Sequence, residues 1–331
     1  MQEDYALLRL LADGRFHSGE EIATLSGVTR AAVWKKIQSL KVGLQLDIQA
    51  VTGRGYRLPG GLDMLDAQVI QNRLDKSDVV ACQLEIFHAI DSTNQYLVDR
   101  RDQLRDTIFC CLAERQTAGR GRRGRGWVSP YGKNIYLSLA HWLNKPMYGL
   151  SGLSLVIGVA VAEALEKLQV NGLSLKWPND LHLHGKKLGG ILVELQGEVE
   201  GPVRVISGVG LNVELPAAER KSIEQPVTDL VSHFEHRPSR NILAFELIRH
   251  ISLALKKFEQ SGLAPFIPLW NHFDAYINQS VDLVMGDQTI TGIYRGIDHD
   301  GELLLETGAG LQRYNAGEVS LRKKLESSLS S

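Results

Sequence analysis

The chain has 331 residues, 44% of them apolar and 23% charged, and its 37 Lys+Arg against 38 Asp+Glu leave a formal net charge of −1. That is enough chain for about two domains, or three if some are small, and the composition excludes a disordered or fibrous protein. Three cysteines exclude a disulfide framework, no Cys-x2-Cys pair or Cys/His cluster offers structural zinc, and the balanced charge argues against bulk electrostatic binding to nucleic acid. The acidic start Met1-Gln2-Glu3-Asp4 is no signal peptide, and the longest uncharged stretch, Pro146 to Ala162, has 17 residues where a bilayer needs ~20. A cytoplasmic protein without a membrane partner is expected.

The balanced total hides a local excess, because residues 25 to 60 hold six basic residues against the single acid Asp47. Tyr5 to Ala12 reads as a short apolar helix. Ser18 with Glu21 forms a capping box that opens a helix over about Gly19 to Leu25. Ser26-Gly27-Val28 is a tight turn, after which Thr29 can cap a third helix from Arg30 to about Leu40. There Val33, Ile37 and Leu40 recur at i, i+4, i+7 as the buried stripe, and Arg30, Ala31, Trp34, Lys35 and Gln38 occupy the opposite face. Two helices about a glycine turn, the second with a basic outer face, make a helix-turn-helix over about 19–38 whose second helix suits a major groove. Leu46 to Leu58 reads as two short strands around Thr52-Gly53-Arg54-Gly55, a wing with Arg54 at its tip. A small cap with a merely solvated basic face is the alternative; DNA binding is the expectation.

Two apolar strands follow, Thr107 to Ala113 and Asn134 to Trp142. Between them, residues 115 to 133 carry five Arg, one Lys, five Gly and no acid. Gly119 to Gly124 matches G-x-G-x-x-G literally, but a dinucleotide fingerprint must open a helix packed on a sheet, and Arg-Gly-Trp-Val-Ser-Pro cannot form one. No G-x4-G-K-[ST] loop occurs either. The composition instead suits a mobile loop whose glycines let backbone amides approach an anion, whose guanidiniums clamp phosphate or carboxylate, and whose Trp127 can lie over a planar ring. A solvated linker or a non-specific nucleic-acid tether is the plainer alternative.

From about residue 63 to 268 strand patterns alternate with longer helices, including Leu150 to Leu168 and Asn241 to Gln260, which predicts an α+β core of a mixed sheet with helices on one face. Ala264 to Trp270 reads as a Pro-containing stretch leading to a last domain. Val281 to Arg322 is strand-like throughout, with turns at Gly286-Asp287 and Asp300-Gly301. His182 and His184 would share a strand face and His233 and His236 lie a turn apart, yet neither pair has a third ligand nearby in sequence, so no resident metal is expected.

Gln116-x-x-Gly-Arg-Gly-Arg-Arg-Gly-Arg-x-Trp127 resembles the ligand loop of biotin protein ligases. Asp91-Ser-Thr-Asn94, Lys176-Trp-Pro-Asn-Asp180 and Lys187-Leu-Gly-Gly-Ile-Leu192 agree with that family in order, and with the winged helix the chain is similar, over about residues 1 to 325, to its bifunctional bacterial type, ligase and biotin operon repressor. Gly126 stands where well-known members carry Lys, and Gly189 where they often carry Ala. The resemblance implies three units: a winged helix-turn-helix over 1–62, a catalytic biotin- and ATP-binding domain over 63–270 with a mixed sheet like that of class II aminoacyl-tRNA synthetases, and an SH3-like β-barrel over 271–331.

The implied reaction makes biotinyl-5′-AMP from biotin and ATP, with Mg²⁺ neutralising the leaving pyrophosphate, and then passes biotin to a lysine of a biotin carboxyl carrier protein. The same adenylate would serve as co-repressor, promoting a homodimer on operator DNA. By resemblance Ser92, Thr93 and Gln116 bond the ureido ring, and Ser92-Thr93 could also simply cap a helix from Asn94 to Asp99. Lys187, Arg120 and Arg122 supply the cations, and Arg122 also retains the adenylate. Asn94, Gly119, Gly121, Trp127, Gly190 and Gly208 complete the ligand site, with Asn212 facing the adenosine. Asp180 accepts the incoming lysine's proton, helps to bind Mg²⁺, or merely completes a turn after Pro178. Cys110 and Cys111 fall on an apolar strand, so no nucleophilic side chain is evident. A DNA regulator that has lost catalysis, or a lipoate-attaching relative, are the other readings.

Overall fold

The computed structural model describes residues 2–79, 81–100, 105–235, 238–316 and 319–323. Its first unit follows its caps. Helices α1 (Gln2–Leu11), α2 (Gly19–Ser26) and α3 (Arg30–Gly43) precede an antiparallel hairpin of β1 (Gln49–Val51) and β2 (Gly55–Arg57). Ser18 accepts from the Glu21 amide while the Glu21 carboxylate bonds back to the Ser18 amide; Gly27 ends α2 in the left-handed region, and Thr29 caps α3 through the Ala32 amide. The third helix runs on to Gly43, past the expected Leu40. Val33, Ile37 and Leu40 are buried with Leu7, Leu8, Leu11, Ile22 and Ile48 in a core of their own.

The central sheet has the order β3-β4-β5-β9-β8-β7-β6, mixed because β3 (Cys82–Phe87) and β4 (Ile108–Ala113) run parallel and all other neighbours antiparallel. The remaining strands are β5 (Ile135–Leu143), β6 (Leu173–Lys176), β7 (Asp180–Leu183), β8 (Lys186–Gly197) and β9 (Val203–Leu211). Helices α4 (Ala67–Leu74), α5 (Thr93–Asp99), α6 (Leu153–Lys167), α7 (Ala217–Lys221), α8 (Arg240–Ser261) and α9 (Ile267–Phe273) surround it.

The expectation of helices on one face is wrong. Cys110, Leu112, Leu137 and Leu139 face α6 and α8 in the main core, whereas Phe109, Cys111, Ala140 and Ile206 face the opposite way and pack with Leu97 of α5. All six residues of β4 are therefore buried, which is why its sequence reads as one unbroken apolar run. Since α5 covers only part of its face, the rest of that face is left for a cleft.

The Pro-containing stretch that leads to the last domain is helical. Pro268 sits in the first turn of α9, where its missing N–H costs nothing, and Phe266, Trp270 and Phe273 are buried. The run Met147–Lys167, 21 residues with mean hydropathy 1.7, exceeds the stretch counted in the sequence and could span a bilayer by composition, but 67% of its most apolar window is buried, as in a core helix.

Five antiparallel strands close the chain in the order β13-β12-β11-β10-β14, namely β10 (Ser280–Met285), β11 (Gln288–Ile297), β12 (Leu303–Thr307), β13 (Gly310–Tyr314) and β14 (Val319–Lys323). Their inward Val281, Leu283, Tyr294, Leu303 and Leu305 join the core of the central domain. The winged helix is attached differently. Arg240, fully buried, pairs with the equally buried Glu114 at 2.7 Å and donates to the Asp63 carbonyl, while Glu114 accepts from the Leu65 amide. Removing one member of such a pair strands a buried charge, at a cost of about 3–5 kcal/mol. Tyr131 inserts from the central domain into the winged-helix core, and Arg115 donates to the Gly43 carbonyl at the end of α3.

Candidate active site

The segment between β4 and β5 is an ordered strap. Trp127 N donates to the Gly119 carbonyl at 2.8 Å and Gly121 N to the Arg125 carbonyl at 2.7 Å, making a small hairpin turned at Arg123 and Gly124 with φ of 56° and 68°. Glycine takes that conformation freely; Arg123 takes it at a cost of about 1–3 kcal/mol. Only a single 3-10 turn, Arg122–Gly124, forms here and no α-helix follows it, as the rejection of the dinucleotide fingerprint requires.

The strap roofs a cleft whose floor is the face of the sheet left open by α5. Gly190, Gly208 and Gly210 on adjacent strands lie on that floor. A Cβ at Gly208 would stand 2.3 Å from Asn94 Oδ1, and one at Gly210 2.5 Å from the Trp127 ring, so nothing larger than hydrogen fits without displacing them.

One end of the cleft is polar and uncharged. Ser92 caps α5 by accepting from the Gln95 amide at 3.3 Å, so the capping alternative holds geometrically while Ser92 still lines the cleft. Thr93 donates its amide to Gln116 Oε1 at 2.8 Å, and the buried Ser138 lies 2.7 Å from Thr93 Oγ1 and 2.5 Å from Asn94 Oδ1.

The other end is cationic. Lys187 Nζ pairs with Asp180 at 2.6 Å and lies 5.8 Å from the centre of the Trp127 ring. Arg120 donates to Gln95 at 2.7 Å and approaches Glu194 at 3.6 Å, while Arg122 donates to Asn179 at 3.3 Å and to the carbonyl of Ala316 in the C-terminal unit. Burial, then the neighbouring Arg123, lowers the Arg122 pKa from its usual value, which favours an anion beside it. Arg120, Arg122, Arg123, Arg125, Lys176 and Lys187 line this cleft against one carboxylate among the described residues, Asp180. Such a site takes an elongated anion with an uncharged, hydrogen-bonding head.

Ser92, Thr93, Asn94, Gln116, Arg120, Gly121, Arg122, Trp127, Asp180, Lys187, Gly190, Gly208 and Asn212 all line this one cavity. Gly119 does not; it is packed behind the wall, where a Cβ would meet Gln116 Nε2 at 2.9 Å. Sequence reasoning missed Ser138, Asn179, Ile223, Gln225, Val227 and Leu321, which also line the cavity. Ser138 carried a signal, a lone serine in the otherwise apolar or aromatic run Ile135 to Leu139. Residues 223–227 carried none, being brought in by backbone pairing of Lys187 with Pro226 and Thr228.

His184 does not share a strand face with His182. It lies beyond the end of β7 at φ 49°, exposed, with its ring 4.9 Å from that of His233. His182 is buried, and burial followed by Lys176 pushes its pKa down to about 4. His236 lies outside the described residues. Asp298, His299 and Asp300 bring ligand atoms within 4.8 Å of one another, but His299 and Asp300 are exposed and Asp298 Oδ1 already accepts the amides of Asp300 and Glu302. Cys110 and Cys111 are buried on β4, and burial raises both pKa values above the usual thiol range, so neither is poised as a nucleophile.

Far from the cleft, Arg30, Ala31, Trp34 and Lys35 are exposed on α3 and Gln38 is half-buried beside them. Arg54, at the hairpin tip, is exposed but lies over the Phe16 ring at 4.1 Å, with Arg57 at 4.7 Å.

Three family models match in chain order: "HTH domain" at residues 4–57, "Biotin/lipoate A/B protein ligase family" at 86–212 and "Biotin protein ligase C terminal domain" at 276–322. The chain is 44% identical over 316 residues to the bifunctional ligase/repressor BirA of Escherichia coli, covering 96% of each chain, and equally to that of Salmonella typhimurium. It is 30% identical to the Bacillus subtilis protein of the same name, over 97% of this chain and 98% of that one. Among solved structures, Aquifex aeolicus biotin protein ligase in complex with biotin and ATP superposes with a TM-score of 0.61 at 31% identity, over 73% of this chain and 99% of that one.

Proposed function

The chain belongs to the biotin protein ligase family, in its ligase/repressor branch, and from that premise we propose that the cleft joins biotin to ATP and that the resulting biotinyl-5′-AMP is both intermediate and co-repressor. It is a biotin–protein ligase with a repressor's DNA-binding unit. We read it as three functional units, 1–62, 63–270 and 271–331, the last junction falling within α9.

In the first step a biotin carboxylate oxygen attacks the α-phosphorus, the bond to the bridging oxygen breaks, and pyrophosphate leaves. Two anions must meet, so the barrier is electrostatic, and Lys187, Arg120 and Arg122 reduce it by facing the junction from the floor and the strap. In the second step a carrier lysine attacks the acyl carbon, the C–O bond to phosphate breaks, AMP leaves, and the amine proton passes to a base. Asp180 is the carboxylate we assign to that proton. The uncharged end, Ser92, Thr93, Asn94 and Gln116, holds the ureido ring, while Trp127, Gly190, Gly208 and Asn212 bound the adenylate.

Mg²⁺ ordinarily needs one or two carboxylates plus substrate phosphates, and Asp180, the sole acid among the described lining residues, fits that donor set beside a triphosphate. When bound, the ion would neutralise charge on the departing pyrophosphate.

The observation that carries this reading is the Lys187–Asp180 pair at 2.6 Å under Trp127, with Arg120 and Arg122 in the same roof. Repression follows by linkage: an adenylate that binds a dimer better than a monomer must strengthen the dimer, which presents two α3 faces, with Arg30, Trp34 and Lys35, to a two-fold operator. The full chain incubated with ATP, labelled biotin and a biotin-acceptor domain should label the acceptor, and adding biotin and ATP should shift operator DNA on a gel. An unlabelled acceptor with adenylate formed would leave a sensor without transfer; no adenylate at all would refute the reading.

A further inference from the structure

The polar end of the cleft is one proton short, and Glu194, which is not among the proposed ligand residues, decides where the shortage falls. Four oxygens run in line: Gln116 Oε1, Thr93 Oγ1, Ser138 Oγ and Asn94 Oδ1, separated by 3.0, 2.7 and 2.5 Å. Thr93, Ser138 and Asn94 are buried, so the row opens to the cleft at its Gln116 end. Three contacts need three protons, and the two hydroxyls supply two.

Glu194 fixes the direction in which those two point. Asn94 Nδ2 donates to Glu194 Oε2 at 2.8 Å and to the Leu192 carbonyl at 3.4 Å, and neither a carboxylate oxygen nor a carbonyl can donate in return. Asn94 must therefore turn its oxygen to Ser138, which spends its proton there across the shortest gap. Ser138 then accepts from Thr93. The contact left without a proton is the longest, between Thr93 Oγ1 and Gln116 Oε1, and Gln116 is already served by the Thr93 amide at 2.8 Å. The result is a notch of two acceptors 3.0 Å apart, which a ligand N–H completes.

With the Asn94 amide reversed, every proton would run the other way. Asn94 would donate to Ser138, Ser138 to Thr93 and Thr93 to Gln116, and the row would be satisfied with no ligand. Glu194 forbids that state, because the Asn94 oxygen would then face its carboxylate.

We propose that Glu194 is a positioning residue that, through Asn94 and Ser138, keeps the Thr93–Gln116 notch an acceptor pair and so selects a ligand head bearing an N–H donor. This deepens the proposed function and rests on its placement of the ureido ring at this end. Glu194 also lies 3.6 Å from Arg120, so its loss has a second consequence that the test must separate.

The test uses the full chain and the isosteric Glu194→Gln, whose amide can donate to Asn94 and permit the reversed state. Biotin KM should rise about tenfold, the scale of one neutral hydrogen bond, with kcat and the KM for ATP within about twofold. A biotin analogue methylated on the ureido nitrogen should bind far more weakly than biotin to the wild-type chain and lose much of that disadvantage in Glu194→Gln. An unchanged biotin KM, or an equal analogue penalty in both proteins, would overturn the inference; a change confined to ATP KM and kcat would assign the effect to Arg120 and overturn it too. Gln116→Ala separates the two levels. If it weakens biotin while Glu194→Gln does not, only the role of Glu194 falls; if it leaves biotin binding intact, the ureido placement itself is wrong.

Discussion

The two ends of the cleft solve recognition in opposite ways. At the polar end Thr93, Asn94 and Ser138 are buried and bonded to one another before any ligand arrives, so binding there requires little reordering of side chains. At the cationic end Arg120 and Arg122 donate to Gln95, Asn179 and the Ala316 carbonyl, and Arg120 also lies 3.6 Å from Glu194, contacts that must be given up or shared when a phosphate binds. One end is a fixed gauge for the head group. The other is a strap whose cations already hold protein partners, and whose bonding must change for it to grip. Specificity and retention are thus separated in space, and substitutions at each end should fail in different ways.

The largest effect is expected where the ends meet. Lys187→Ala removes the amine we assign to the carboxylate–phosphate junction and should slow adenylate formation by about 10²–10³-fold, the usual scale for one electrostatic contact made in the transition state. Pyrophosphate release measured under biotin and ATP saturation reads this directly, and near-normal rates would remove Lys187 from the chemistry.

Gly208→Ala attacks the rigid end. Its Cβ would lie 2.3 Å from Asn94 Oδ1, within a network with no slack, so overpacking should cost about 1–3 kcal/mol of stability and most of the biotin affinity. Calorimetric titration should show biotin weakened far more than ATP. Equal losses for both would mean that the gauge is not rigid.

Arg122→Gly attacks the strap and should spare biotin binding. Losing one or two charge-assisted bonds to phosphate, roughly 1.5–3 kcal/mol, should speed adenylate release by tenfold or more and label bystander lysines. Carrier selectivity equal to that of the wild-type chain would contradict a retaining role.

How far each end could be read in the sequence follows the same division. Motifs of contiguous residues were legible: Ser18 with Glu21, Thr29 before α3, and the arginine–glycine strap each act within a few positions of themselves. Lys187 and Asp180 were legible only through family motifs, since nothing local says that a bulge between β7 and β8 brings them to 2.6 Å. Ile-Phe-Cys-Cys-Leu-Ala could not reveal that helices lie on both sides, because a strand buried on both faces has no alternation to read. Ser138 and Glu194 were illegible as a pair because Asn94, which joins them, lies about a hundred residues from Glu194, and their relation is one of proton count rather than residue type. The proline-bearing Ala264 to Trp270 was given no secondary structure for another reason: proline marks a break inside a helix but suits its first turn, and only the burial of Trp270 tells the two apart.

The smallest effect concerns Gly126, at which better-known relatives were expected to carry lysine. No atom lies within 4 Å of a Cβ built there, its φ is not in the left-handed region, and its backbone only bridges to Arg120 across the strap. Gly126→Lys should therefore leave stability within about 0.5 kcal/mol, as for other surface changes. What it adds is one more cation on a roof that already presents four arginines to the cleft. Exposed charges act over about 8–10 Å at physiological salt, so the added lysine should raise the rate of ATP capture by no more than about twofold at low salt, and the gain should vanish well before 1 M. Biotin, with one negative charge against the several of ATP, should gain still less, and its head-group contacts should not move. If Gly126→Lys instead slowed adenylate release severalfold at all salt concentrations, the strap would be limited by backbone freedom at this glycine rather than by its guanidiniums, and the contrast between a rigid gauge and a charge-held strap would have to be redrawn.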